Sequence, residues 1–154
     1  MPNQSTTPDQ VDVRGPRFAA WVTTAVLVIA LLVSAYSSVA AAILLGVQAA
    51  VFAVGALGGP RKHPFGRVFA AFVAPRLGPV TEREPVPPLK FAQLVGFVFA
   101  VAGTVGFATG LVALGLAATA LALVAAFLNA AFGICLGCRL YPLISHLRTT
   151  AHPA

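Results

Sequence analysis

FAAWVTTAVLVIALLVSAYSSVAAAILLGVQAAVFAVGALGGP, from Phe18 to Pro60, contains no Asp, Glu, Lys, Arg or His in 43 residues. A helix rises about 1.5 Å per residue and the hydrocarbon core of a bilayer is roughly 30 Å thick, so one crossing takes about 20 apolar residues. The stretch is too long for one span and the right length for two with a turn. Ser34, Tyr36, Ser37 and Ser38 interrupt it near the middle, and Gly58, Gly59 and Pro60 close it. These breaks place spans at about 18–35 and 39–57. A second stretch free of those residues runs from Phe91 to Cys138, 48 residues, and Thr109 and Gly110 divide it into spans at about 91–108 and 111–132. Backbone polar groups in lipid need internal partners, and β-barrel alternation is absent, so helices are expected.

The rest of the composition agrees. Of the 154 residues 58% are hydrophobic and only 9% are charged, with a mean hydropathy of +0.90. A soluble domain carries about 25% charged residues. So apolar a chain is not disordered, and two cysteines are too few for a disulfide scaffold. The expected fold is therefore all-α: an integral membrane bundle of four transmembrane helices in two hairpins. Its parts are an N-terminal tail (1–17), the transmembrane domain (18–138) with a basic loop at 59–90, and a C-terminal tail (139–154). A cleaved signal peptide is disfavoured, because 17 residues precede the first apolar run and a second span follows it directly.

With four spans, both tails and the central loop share one side, and all ten Lys and Arg residues fall there. The positive-inside rule makes that side cytoplasmic. The expectation is a multi-pass protein of a bacterial plasma membrane with both termini in the cytoplasm.

Within the loop, Phe65, Val68, Phe69, Phe72 and Val73 recur at helical spacing between Pro64 and Pro75, with Arg67 and Arg76 off the stripe. This predicts a short amphipathic helix at the membrane surface. The segment from Pro79 to Pro88 holds four prolines and reads as an extended connector. Arg61, Lys62 and Arg67 are candidate contacts for anionic headgroups of the lipid bilayer, or for an acidic cytosolic partner docked on a non-enzymatic scaffold. No nucleic-acid motif accompanies the basic residues, so nucleic acid is not an expected partner.

Inside the spans, Gln48 and Asn129 are lone amides that could line a site and are better suited to interhelical hydrogen bonds. Small residues recur every fourth position: Ala42, Gly46 and Ala50; Ala102, Gly106 and Gly110; Ala118, Ala122, Ala126 and Ala130. Such rows let helices approach closely. No ionisable group lies at membrane depth, which argues against proton pumps and charge-coupled transporters.

The chemically pointed feature is Cys135-Leu136-Gly137-Cys138, which holds both cysteines of the chain. Residues three apart share a helix face, and a fourth helix continuing from Leu111 would carry the pair to the cytoplasmic interface. Arg139 beside it favours a thiolate. A permanent disulfide is disfavoured in a reducing cytosol. Thiol–disulfide redox or sulfur transfer, a metal site shared by a dimer or completed by His146, and two idle thiols all stay open. A c-type haem would need His where Arg139 stands, and no cofactor is expected.

Several segments carry a resemblance: Val11-Asp12-Val13-Arg14-Gly15-Pro16-Arg17-Phe18, Gly59-Pro60-Arg61, Pro75-Arg76-Leu77-Gly78-Pro79, Lys90-Phe91-Ala92-Gln93, and the block from Leu128 to Tyr141 around the cysteines. Together they resemble a family of small bacterial integral membrane proteins of unknown function, domain of unknown function number 4395, from Val11 to about Leu147. The resemblance brings no established activity. It implies, through thioredoxin-like and sulfurtransferase neighbours, a thiol or sulfur role for Cys135 and Cys138 with such a cytosolic protein as partner.

Overall fold

A computed structural model of the chain describes residues 9–150. Four long helices form its body: α1 (Arg14–Ser34), α2 (Ser38–Gly58), α4 (Val86–Ala108) and α5 (Val112–Phe132). Each is long and apolar enough to cross a membrane. Between α2 and α4 lie α3 (Pro64–Val68), which runs on as a π turn (Phe69–Val73) and a 3-10 turn (Ala74–Arg76), and strand β2 (Arg83–Pro85). Strand β1 (Gln10–Asp12) precedes α1, and helix α6 (Leu136–Thr150) follows α5. The fold is thus an all-α multi-pass bundle with almost no strand.

The helix ends follow from local chemistry. Ser37 caps α2, its hydroxyl accepting from the Ala40 N–H at 3.1 Å. Gly110, at a φ of 81°, turns the chain between α4 and α5 where a side chain would be strained. The short connections make each hairpin antiparallel. Around the bundle α1 neighbours α2, α2 packs on α4, α4 on α5, and α5 back on α1.

Small residues set the α4–α5 distance. A Cβ on Gly106 would fall 2.8 Å from the Gly115 Cα, and one on Gly103 would meet the Leu45 side chain at 2.9 Å. Ala118, Ala122 and Ala130 are buried, so the α5 row faces inward within the monomer. In α2 the row is split: Ala42 is buried and Ala50 is exposed. Leu27, Ala30, Ala41, Leu45, Phe107 and Ala122 form the main core. Gln48 is 2% exposed, yet its amide nitrogen has no partner, so the interhelical hydrogen bond expected of it is not made there.

Two segments depart from the sequence expectations. The proline-rich run is not extended throughout. Arg83–Pro85 pairs antiparallel with β1, and Val86, Pro87 and Pro88 open α4, where missing N–H groups cost nothing because the first turn has no intrahelical acceptor for them. Nor does α5 continue to the cysteines. Gly133 takes a left-handed φ of 68°, its N–H donates to the Asn129 carbonyl at 3.0 Å, and Ile134 N–H reaches Leu128 O at 3.1 Å. That closes the helix at Phe132.

The helical segment after Pro64 does have an inward side. Phe69 is buried against Phe18 of α1, ring centroids 5.8 Å apart, while Val68 and Phe72 face outward. Arg14 ties the β-ribbon down, holding both Asp12 carboxylate oxygens and the Gly78 carbonyl. That guanidinium keeps the Asp12 carboxyl below the usual carboxylate range. Burial, with Glu82 adding to it, pushes Glu84 up.

Candidate functional site

The break at Gly133 decides how the cysteines are presented. Cys135 stands immediately before α6 and Cys138 is the third residue of the helix. The Cys135 carbonyl accepts the first intrahelical bond, from Arg139 N–H at 3.1 Å, and the Cys138 N–H points at the Cys135 Sγ at 3.3 Å. The two sulfurs are joined as a disulfide across a Cα–Cα distance of 5.2 Å. The expectation of a pair on one face of a continuous fourth helix is therefore corrected: the pair caps the start of a separate one. When the bond is open, Cys135 occupies a position where unsatisfied N–H groups and the helix dipole favour negative charge. Arg139 is exposed beside it.

Helix α6 lies across the start of α4. A Cβ on Gly137 would come within 2.6 Å of the Ala92 Cα, and Tyr141 stacks obliquely on Phe91 with centroids 6.1 Å apart. The glycine between the cysteines is thus a close-approach residue. Arg17 of α1 reaches the other side of the junction, its guanidinium 3.4 Å from the Ala130 and Ala131 carbonyls at the end of α5. That pairing satisfies orphan carbonyls with a cation at the negative end of a helix.

Cys135 also lies on the wall of a cavity of about 260 Å³ that enters the bundle. Thr23, Phe52, Gln93, Phe99 and Asn129 share that wall. Asn129, which the sequence offers as a site-lining amide or an interhelical hydrogen bond, is brought to the same cavity wall as the cysteine by the chain reversal at Gly133.

A second cavity, about 370 Å³, lies under the β-ribbon and shares Gln93 with the first. His63 is 2% exposed on its wall, and neither ring nitrogen has a hydrogen-bond partner. Burial lowers its pKa to about 4, against a smaller upward pull from Gln93. In the sequence His63 lies between the two apolar stretches, in the basic loop. Only Gly55 hints at the packing, since a Cβ there would fall 2.6 Å from the His63 Cδ2 and 2.9 Å from the Gln93 Oε1.

Arg61, Lys62 and Arg67 are exposed at the same end of the bundle as the cysteines, but they do not join them. Arg61 pairs with Asp9 at 2.9 Å and also reaches the Gln10 carbonyl. Both partners of that pair are more than half exposed, which limits what it contributes. Among the described residues, no group of three or more His, Cys, Asp or Glu side chains is close enough to hold a metal ion. His146 lies in α6 and is not grouped with the cysteines; His152 falls outside the described residues.

The profile of the domain of unknown function family DUF4395 matches residues 11–146. The chain belongs to that family. No curated protein matches it, and no solved structure does. The match spans most of β1, all four long helices and most of α6, so the cysteine junction lies inside the family domain.

Proposed function

We propose that this DUF4395 protein is a membrane thiol–disulfide redox protein, with Cys135 and Cys138 cycling between dithiol and disulfide. The observation that carries the reading is the placement of the pair at the start of α6, bonded to each other and only partly buried at one end of the bundle. That end also gathers the basic loop, and the positive-inside rule supports assigning it to the cytoplasm of a bacterial plasma membrane. The partner is then a cytosolic thioredoxin-like or sulfurtransferase protein. Cys135 is the attacking sulfur and Cys138 the resolving one, because the helix start favours charge on the first.

The test is trapping. In cells, Cys138→Ser should accumulate a mixed disulfide on Cys135, and mass spectrometry of the adduct names the partner. A persulfide at Cys135 would instead assign sulfur transfer. The reading fails if both thiols keep one oxidation state when thioredoxin is removed and the double serine variant stays fully functional.

A second reading concerns the basic loop. Arg61, Lys62 and Arg67 are exposed, as are Val68 and Phe72 a few residues on in the chain, a combination that supports contact with anionic headgroups at the membrane surface. Replacing the three cations with Gln should weaken binding of the detergent-solubilised protein to anionic vesicles and leave binding to zwitterionic ones unchanged.

A further inference from the structure

We propose that the cavity beside Cys135 binds a lipid-soluble quinone, which exchanges electrons with the cysteine pair. This rests on the redox reading above and names the membrane-side substrate class.

The cavity is closed to charged molecules by its chemistry. No Asp, Glu, Lys, Arg or His is among its lining residues, and the polar side chains there, besides the thiol, are Thr23, Gln93 and Asn129. A peptide-like thiol would bury ionised groups without partners, at a prohibitive desolvation cost. A quinone ring carries no charge. Phe52 and Phe99 supply aromatic surface for it. The amides of Gln93 and Asn129 can donate to a quinone carbonyl and accept from a hydroquinone hydroxyl, so one set of residues serves both redox forms.

Size and access agree. About 260 Å³ is near the lower end of small-molecule sites, enough for a substituted ring and not for a long isoprenoid tail. The lining also includes Leu121 and Leu140, which are 57% and 47% exposed on the outside of α5 and α6. These exposed apolar residues offer a route by which a tail would leave the cavity for the lipid. Cys135 meets the cavity and Cys138 is not among its lining residues, which matches the split between reacting and resolving sulfur.

The exchange balances without further reagents. Two Cys S–H bonds are lost and one S–S bond forms. The two electrons and two protons pass to the ring oxygens of the quinone, which leaves as hydroquinone. Run from the disulfide and hydroquinone, the same balance reduces the pair.

The experiment uses the full chain in nanodiscs with the pair reduced and the reductant removed. Decylubiquinone is the probe, since its fully substituted ring resists simple thiol addition. Disulfide formation is read by alkylation mass shift, and hydroquinone by absorbance. The expected result is one hydroquinone formed per disulfide. Ala125→Phe, which fills the cavity, should slow this reaction at least tenfold and leave oxidation by water-soluble diamide unchanged; Asn129→Leu provides a second, smaller lesion. The proposal is overturned if diamide oxidises the wild-type pair and decylubiquinone does not, or if both variants react with the quinone at the wild-type rate. If diamide forms no disulfide either, the redox reading itself falls.

Discussion

At the residue scale, the features that matter most are those whose surroundings contradict their type. His63 is a base buried with neither ring nitrogen hydrogen-bonded. Its pKa of about 4 lies below the unfolded value of 6.5, so the folded state disfavours the proton. Well above pH 6.5 the His63 imidazole is neutral in both states and contributes no pH dependence. As pH falls from 6.5 towards 4 the unfolded chain takes up a proton that the folded chain refuses, and stability drops by roughly 3 kcal/mol in all. Thermal unfolding in detergent should show Tm falling through that window, and His63→Gln should flatten the profile. A profile unchanged by the substitution would mean that His63 is not the group responsible. The cysteines make the matching point for reactivity. In the reduced protein, Cys135 should be alkylated several-fold faster than Cys138 near neutral pH, as read by peptide mass spectrometry after brief labelling. Neither property is visible in the sequence, where His63 is one of three histidines in polar segments and the cysteines are symmetric about Leu-Gly.

Elements determine where those residues point. Helices α1, α2 and α5 end at or beside the Ser, Gly and Pro breaks of the sequence, because runs of apolar residues between such breaks leave few other places to turn. The expectation erred where a sequence signal had two uses. Prolines at 87 and 88 can extend a chain or start a helix, and pairing of Arg83–Pro85 with β1 selects the second. Gly133 can sit inside a membrane helix or end it, and its left-handed φ ends it. Arg17 should support that ending. Arg17→Ala is expected to cost about 1 kcal/mol and to raise hydrogen exchange in the last turn of α5 rather than across the bundle. Small-residue rows were readable as packing surfaces, but which helix each one meets was not. Gly106→Leu places a side chain against the Gly115 backbone and should destabilise the bundle by about 1–3 kcal/mol, whereas Ala50→Leu, on an exposed position, should not. Equal Tm values for the two variants would contradict this packing.

For the whole molecule, the consequence of four antiparallel helices is that distant segments meet at one end. Asp9 meets Arg61, Arg14 meets Gly78, Arg17 meets Ala130, and Gly137 meets Ala92. The cations of the β-ribbon, the loop and α6 therefore share an end, and the turn at Gly110 lies at the other. Reporter fusions at Thr109 and Thr150 should report opposite compartments, with Thr150 on the cytoplasmic side. Fusions reporting the same side would break the even-span topology and with it the proposed encounter between Cys135 and a cytosolic partner.

The sequence alone determined that four segments are long and apolar enough to cross a membrane as helices, and it marked the cysteine pair as the candidate site, because hydropathy, charge spacing and residue type are properties of the chain. Only the tertiary structure decided that the pair caps a separate helix, that Gln93 and Asn129 stand with Cys135 on one cavity wall, and that His63 is buried. Those are juxtapositions of residues far apart in the chain. They depend on which helix faces lie together and on a backbone reversal at one glycine, and linear spacing holds no record of either.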